Sequence, residues 1–81
     1  MIDMTVKIKS WKIGQIMRDM SKYSDRYFVD VVGSEMGHHY TEYEDAQSYV
    51  EVKAVKEKES EKAIQFSFNG FTAWVPKSVI A

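Results

Sequence analysis

The stretch "KAIQFSFNGFTAWVP", residues 62–76, decides how the end of this chain folds. Asn69 and Gly70 lie between two segments in which hydrophobic and polar residues alternate. A type I′ turn needs positive φ at both central residues, and Asn-Gly supplies it, so this pattern is the strongest short-range signal of a β-hairpin. The stretch predicts strands over 62–68 and 71–76 joined by a two-residue turn.

The pairing register of this hairpin places its side chains on two faces, because directly opposed residues share a face. Three aromatic residues share the face predicted to enter the core: Phe66, Phe68 and Phe71. Trp74 points the other way, together with Thr72. Two interpretations of Trp74 stay open. It is either an exposed anchor for a partner, since Trp is enriched among interface hot spots, or a side chain covered by another element.

The periodicity of the hydrophobic residues predicts the other elements. Alternation over 4–9 predicts a half-buried strand, and apolar residues at helical spacing predict a helix over 10–23 that Ser10 caps. Aromatic and β-branched residues predict a strand over 26–32. Residues 49–60 also favour a strand that runs out into the polar turn "KEKES", although a charged helix is left open there.

The chain has 81 residues, 44% of them hydrophobic and 28% charged, with no Cys and a net charge of −1. This length allows a single domain over 1–81, and the composition excludes a disordered chain and a disulfide scaffold. No apolar run approaches the ~18 residues of a membrane span, and no signal peptide is recognisable, so we expect a cytoplasmic protein. The expected fold class is α+β: a small curved antiparallel sheet, or an SH3-like or OB-like barrel, with one short helix.

A second candidate surface lies in the irregular segment 33–48, which contains "GHHYTEYED". We name residues 38–45 the acidic loop and expect it to contact a protein partner, because Tyr carries contact area at low entropic cost. Its predicted partner-binding residues are His39, Tyr40, Glu42, Tyr43, Glu44 and Asp45. Adjacent His side chains in an extended segment point apart, so a metal site is not favoured, and no cofactor is expected.

Groups for catalysis are scarce in this sequence. It contains no nucleophile elbow and no Gly-rich phosphate cradle, and the four Gly residues are isolated. We therefore expect no enzyme. The leading hypothesis is a small binding protein that occludes a protein partner. The alternative is a single-stranded nucleic-acid-binding barrel, although the weak basic charge does not favour it. Its stacking and phosphate-binding residues would be Trp11, Tyr27, Trp74, Lys7, Lys9 and Lys12.

The C-terminal stretch 61–80 resembles the hairpin ending of small phage and mobile-element proteins of unassigned function. The matching positions are Lys62, Ala63, Asn69, Gly70, Trp74, Pro76, Lys77 and Ser78. The resemblance covers about a quarter of the chain and transfers no functional residue. It implies a phage or prophage accessory protein that acts in the host cytoplasm, such as a small inhibitor of a host defence component or a small DNA-metabolism factor. Independently of the resemblance, a chain this short is marginally stable and dimerisation would help it, so a homo-oligomer is left open.

Overall fold

The computed structural model describes residues 3–23, 26–33 and 43–81. These residues form a small antiparallel sheet with one α-helix and a short 3₁₀ helix, an α+β fold as predicted. The elements are β1 (Met4–Lys9), α1 (Ser10–Ser21), β2 (Asp30–Val31), β3 (Tyr49–Glu59), β4 (Ala63–Phe68), β5 (Phe71–Pro76) and the 3₁₀ helix (Lys77–Val79).

The sheet has the strand order β1–β3–β4–β5, and β2 also pairs with β3. The first part of β3 pairs with β1, and its second part pairs with β4. The register of β3 against β4 shifts between Lys56 and Lys58. A bulge of this kind bends a strand and increases its twist, so β3 can serve both neighbours in a curved sheet.

The β4–β5 hairpin has the register that the sequence predicts. Phe68 pairs with Phe71, and Phe66 pairs with Ala73. Asn69 and Gly70 have φ values of 53° and 98°, the positive values that a type I′ turn requires. The turn therefore sets which side chains of this hairpin share a face, and the hydrophobic pattern decides which face enters the core.

The core lies between the inner face of the sheet and the apolar face of α1. Phe66 and Phe68 are fully buried, as predicted, whereas Phe71 packs against the core but is only half-buried. The buried hydrophobic residues are Val6, Ile8, Ile13, Ile16, Met20, Val29, Val52, Ala54, Phe66, Phe68, Val75 and Val79.

The prediction of a strand over 26–32 is wrong for most of that segment, because only Asp30–Val31 pairs with β3. The residues before β2 contact the β4–β5 hairpin instead. The Asn69 side-chain amide donates a hydrogen bond to the Phe28 carbonyl at 2.9 Å. The Tyr27 ring lies on Phe71, with 5.4 Å between the ring centroids. Tertiary contacts with the turn thus replace the ladder that the local propensity indicates.

The predicted Ser10 cap is also wrong, because Ser10 is the first residue of α1 and no side chain caps the helix. Backbone carbonyls take that role. The N–H groups of Ser10 and Trp11 donate to the carbonyls of Ser48 and Ala46, at 2.8 and 3.1 Å. Two of the N–H groups that every helix start leaves unpaired are satisfied in this way.

Two boundaries differ from the sequence predictions. The helix ends at Ser21 instead of residue 23. Residues 49–59 form a strand, so the helix alternative for this segment is wrong, and the strand continues through most of the predicted polar turn. The chain instead turns over 60–62, where the Ser60 N–H and the Ala63 carbonyl are 2.8 Å apart.

Candidate binding surfaces

The outer face of the sheet around Trp74 is the first candidate surface. Across β3, β4 and β5, Val55 stands opposite Ser67 and Ser67 opposite Thr72. In the next row, Lys58 stands opposite Gln65 and Gln65 opposite Trp74. We name this group the Trp74 face, and its members are Val55, Lys58, Gln65, Ser67, Thr72 and Trp74.

The Trp74 side chain is 45% exposed, and it is not among the half-buried side chains that pack against the core. Its neighbour Thr72 is exposed as well. Lys58 is the single charged member of the face. Trp74 is therefore a large, rigid aromatic side chain in a nearly neutral polar surrounding, held on the second strand of a tight hairpin.

The described part of the acidic loop is tied to α1. Tyr43 is half-buried against the core, and its carbonyl accepts a hydrogen bond from the buried Ser10 hydroxyl at 3.0 Å. Glu44 is half-buried and forms an ion pair with Arg18, whereas Asp45 is exposed. His39, Tyr40 and Glu42 lie outside the described residues.

A shallow open groove of about 230 Å³ runs between α1 and this segment. It is lined by Trp11, Gln15, Arg18 and Glu44. The Arg18–Glu44 ion pair crosses its wall, so both charges of the groove already have a partner within the chain. The groove is thus small, polar and internally neutralised, unlike the apolar clefts that usually hold organic ligands.

A cluster of aromatic rings covers the Asn-Gly turn. Tyr23 and Tyr27 both lie against Phe71, with ring centroids 5.7 and 5.4 Å from it. A Cβ built on Gly70 would lie 3.6 Å from the Tyr27 ring. These contacts explain why Phe71 is half-buried: the rings of Tyr23 and Tyr27 cover it, while Tyr23 itself stays 74% exposed.

Two of the three lysines that the nucleic-acid alternative would use already bond within the chain. Lys9 Nζ donates to the Gln47 carbonyl at 3.0 Å and lies 4.8 Å above the centre of the Tyr49 ring. Lys12 Nζ donates to Gln15 Oε1 at 2.7 Å, and burial lowers the pKa of Lys12. Lys7 is exposed on the outer face of β1, opposite Glu51.

An ion cluster links the end of β3 to the 3₁₀ helix. Glu59 bonds to Lys56 and also to Lys77 Nζ, at 2.7 Å for the second contact. The hydrogen bond from Lys56, followed by that from Lys77, lowers the pKa of Glu59 to about 2. Both contacts are solvent-exposed, so this cluster orders the turn more than it stabilises the fold.

Over residues 3–23, 26–33 and 43–81, no three His, Cys, Asp or Glu side chains come close enough to hold a metal ion. Every buried side-chain nitrogen or oxygen in those ranges has a hydrogen-bond partner. Neither helix of the described part has the length and apolar character that crossing a membrane requires.

The chain matches no protein-family model, and neither the curated proteins nor the solved structures give a match.

The sequence did not indicate the groove or the aromatic cluster at the turn. Arg18 and Glu44 are 26 positions apart, and no local pattern joins charges at that separation. The sequence analysis places Tyr23 in the predicted helix and Tyr27 in a predicted strand, so it does not bring the two rings together on Phe71. The sequence also left open what covers Trp74, which stays half-exposed.

Proposed function

We propose that this chain is a small, non-catalytic binding protein that occludes a protein partner through its Trp74 face. The observation that carries the proposal is the 45% exposed Trp74 beside the exposed Thr72. Trp supplies a large contact area with few rotatable bonds and is enriched among interface hot spots, which polar groups surround at the rim of the interface. Gln65 and Ser67 provide such groups around it.

The sheet that holds Trp74 is proposed to be a small, partly open SH3-like barrel that the residues after β5 join to β1. Ile8 of β1 bridges to Ile80, and the Ala81 N–H donates to the Lys7 carbonyl at 2.9 Å. These contacts bring the chain that follows β5 back to the first strand, on the side of β1 away from β3. A support of this kind keeps Trp74 in place before a partner arrives, which lowers the entropic cost of binding.

A protein partner is favoured over single-stranded nucleic acid, because several side chains that would bind nucleic acid already make contacts within the chain. Tyr27 is occupied by Phe71, and Lys9 and Lys12 bond to Gln47 and Gln15. A strand of nucleic acid would have to break these contacts before it could use the same groups. The Trp74 face has a single charge, which suits a protein surface better than a phosphate backbone.

The resemblance of residues 61–80 to small phage proteins supports a host protein as the partner. A phage-encoded inhibitor of a host defence component would act in the host cytoplasm by covering a surface of its target. Such an inhibitor needs contact area and no catalytic groups. The exposed Asp45 would extend the contact at the acidic loop.

The proposal is tested by affinity capture from lysate of the native host, with the tagged chain as bait. Wild type and Trp74→Ala are compared with Tyr49→Ala, a matched control in which another aromatic side chain, 44% exposed, is removed from a different part of the sheet. We expect a protein that wild type and Tyr49→Ala retain and that Trp74→Ala loses. Equal retention of that protein by all three baits would refute the role of Trp74.

Binding to a labelled single-stranded oligonucleotide, measured by fluorescence anisotropy over a salt series, tests the alternative. We expect no binding at micromolar protein concentration. Tight binding whose affinity falls steeply with salt would overturn the protein-partner proposal, because release of counterions from phosphates produces that slope.

A further inference from the structure

Among the described residues, no strand pairs with the second edge of β5. β5 pairs with β4 along its whole length. The contacts that join the C-terminus to β1 involve Ile80 and Ala81, beyond the end of β5. The open edge therefore coincides with the segment that carries Thr72 and Trp74.

The register of the hairpin decides which backbone groups this edge presents. In a two-residue hairpin, Phe68 and Phe71 next to the turn exchange both backbone hydrogen bonds, and alternate pairs beyond them do the same. Ala73 therefore bonds to Phe66, while the N–H and C=O groups of Thr72 and Trp74 point away from β4. No other backbone hydrogen bond of the described residues reaches Thr72 or Trp74.

This edge also lacks the features by which proteins protect exposed strands. Natural edges are usually blocked by charged side chains, bulges or Pro within the strand, or they are very short. β1 carries Lys7 and Lys9, and β2 has two residues. β5 has six residues, FTAWVP, with no charge, and its single Pro is the last of them.

We propose that two copies of this chain pair antiparallel through their β5 edges, with Ala73 on the two-fold axis. In this register Thr72 stands opposite Trp74 of the second copy, and both pairs exchange their outward N–H and C=O groups. The two copies bring no like charges together, since β5 carries none. Pro76 has no N–H, which limits the ladder to the segment around Ala73.

The second copy is preferred over a foreign strand because the edge complements itself. Each half of the proposed pair offers the donors and acceptors that the other half needs, in the same register. A chain of 81 residues also buries a smaller fraction of its surface on folding than a larger domain does, so an interface with its own copy adds stability that a single domain of this size lacks. The Trp74 face remains open on both copies, so this inference goes beyond the proposed function.

The first test measures the solution mass of the untagged chain by sedimentation equilibrium over a concentration series. Wild type is compared with Thr72→Pro and with its matched control, Thr72→Val. Pro removes an outward N–H that β4 does not use, and Val keeps it while preserving the branched side chain. We expect a wild-type dimer, a dissociation constant raised about tenfold or more by Thr72→Pro, and a change of less than about threefold for Thr72→Val.

The second test uses the absence of Cys from the sequence. Ala73→Cys places a thiol on the proposed two-fold axis, where opposed residues have Cα atoms about 4.5 Å apart, within the range that a disulfide bridges. We expect rapid oxidation to a covalent dimer, whereas Ala81→Cys, which lies outside the edge, stays largely monomeric under the same conditions. Circular dichroism of each variant separates loss of pairing from loss of folding.

Three results would overturn the proposal. The first is a wild-type chain that stays monomeric at every concentration. The second is a dimer that Thr72→Pro does not weaken although the variant folds. The third is a dimer that Ala73→Cys does not cross-link. A monomer that binds an extended peptide along β5 would likewise rule out the second copy as the occupant of this edge.

Discussion

Truncation of Phe68 and of Trp74 should have very different costs, although both are large aromatic residues of the same hairpin. Phe68 is 0% exposed, and Trp74 is 45% exposed. Phe68→Ala removes a buried ring and leaves a cavity, which costs about 3–5 kcal/mol of unfolding free energy. Trp74→Ala leaves no cavity and loses part of one cross-strand contact, so we expect about 1–2 kcal/mol.

These magnitudes matter because a domain of this size has little stability to lose. At about 0.05–0.15 kcal/mol per residue, the whole chain is stable by roughly 4–12 kcal/mol. With a urea m-value of about 1 kcal/mol/M, Phe68→Ala should lower the urea midpoint by about 3 M or unfold the protein outright. Trp74→Ala should lower it by about 1–2 M.

The assay is urea unfolding monitored by far-UV circular dichroism. This signal comes from the backbone, so it serves both variants, whereas Trp fluorescence would change when Trp74 is removed. Phe66→Ala is the companion variant, because Phe66 is 1% exposed and should behave like Phe68→Ala. Equal costs for Trp74→Ala and Phe68→Ala would refute the assignment of the two faces. Trp74 would then be a core residue and no contact surface.

Two further predictions concern the ends of the strands. Because the pKa of Glu59 is lowered to about 2, its contacts with Lys56 and Lys77 stabilise the fold above the unfolded pKa and are lost as the pH falls from about 4.5 to about 2. In thermal melts over this range, Glu59→Gln should be less stable than wild type at neutral pH and should converge with it near pH 2; a constant difference would contradict the assignment. Ser10→Ala removes the hydroxyl that donates to the Tyr43 carbonyl and should cost about 1 kcal/mol in urea unfolding. Ser21→Ala, which loses an exposed bond to Arg18, is its control and should cost less.

The proposed function and the proposed dimer can fail independently. Solution mass needs no partner, and capture of a partner by the Trp74 face needs no dimer. A monomer that still captures a partner in a Trp74-dependent way would leave the function in place and remove the dimer. A dimer that captures no partner in a Trp74-dependent way would make self-association the better supported role of β5.

Features that depend on neighbours in the chain are predictable from the sequence alone. Asn69 and Gly70 fix the turn, the turn fixes the register, and the register sends Phe66 and Phe68 inward and Trp74 outward. The alternation over 4–9 predicts β1 with its observed bounds. Each of these inferences rests on backbone geometry over two to six residues, where local sterics dominate.

The tertiary structure decided the features that depend on residues far apart in the chain. Asn69 takes the Phe28 carbonyl, so the predicted strand over 26–32 is reduced to Asp30–Val31. Tyr43 takes the Ser10 hydroxyl and leaves the helix without its predicted cap. A polar group forms a hydrogen bond with any suitable group that the fold brings within about 3 Å. The periodicity of the hydrophobic residues does not predict which distant residue supplies that group. The exposure of Trp74 belongs to the same class, because it depends on which elements pack elsewhere.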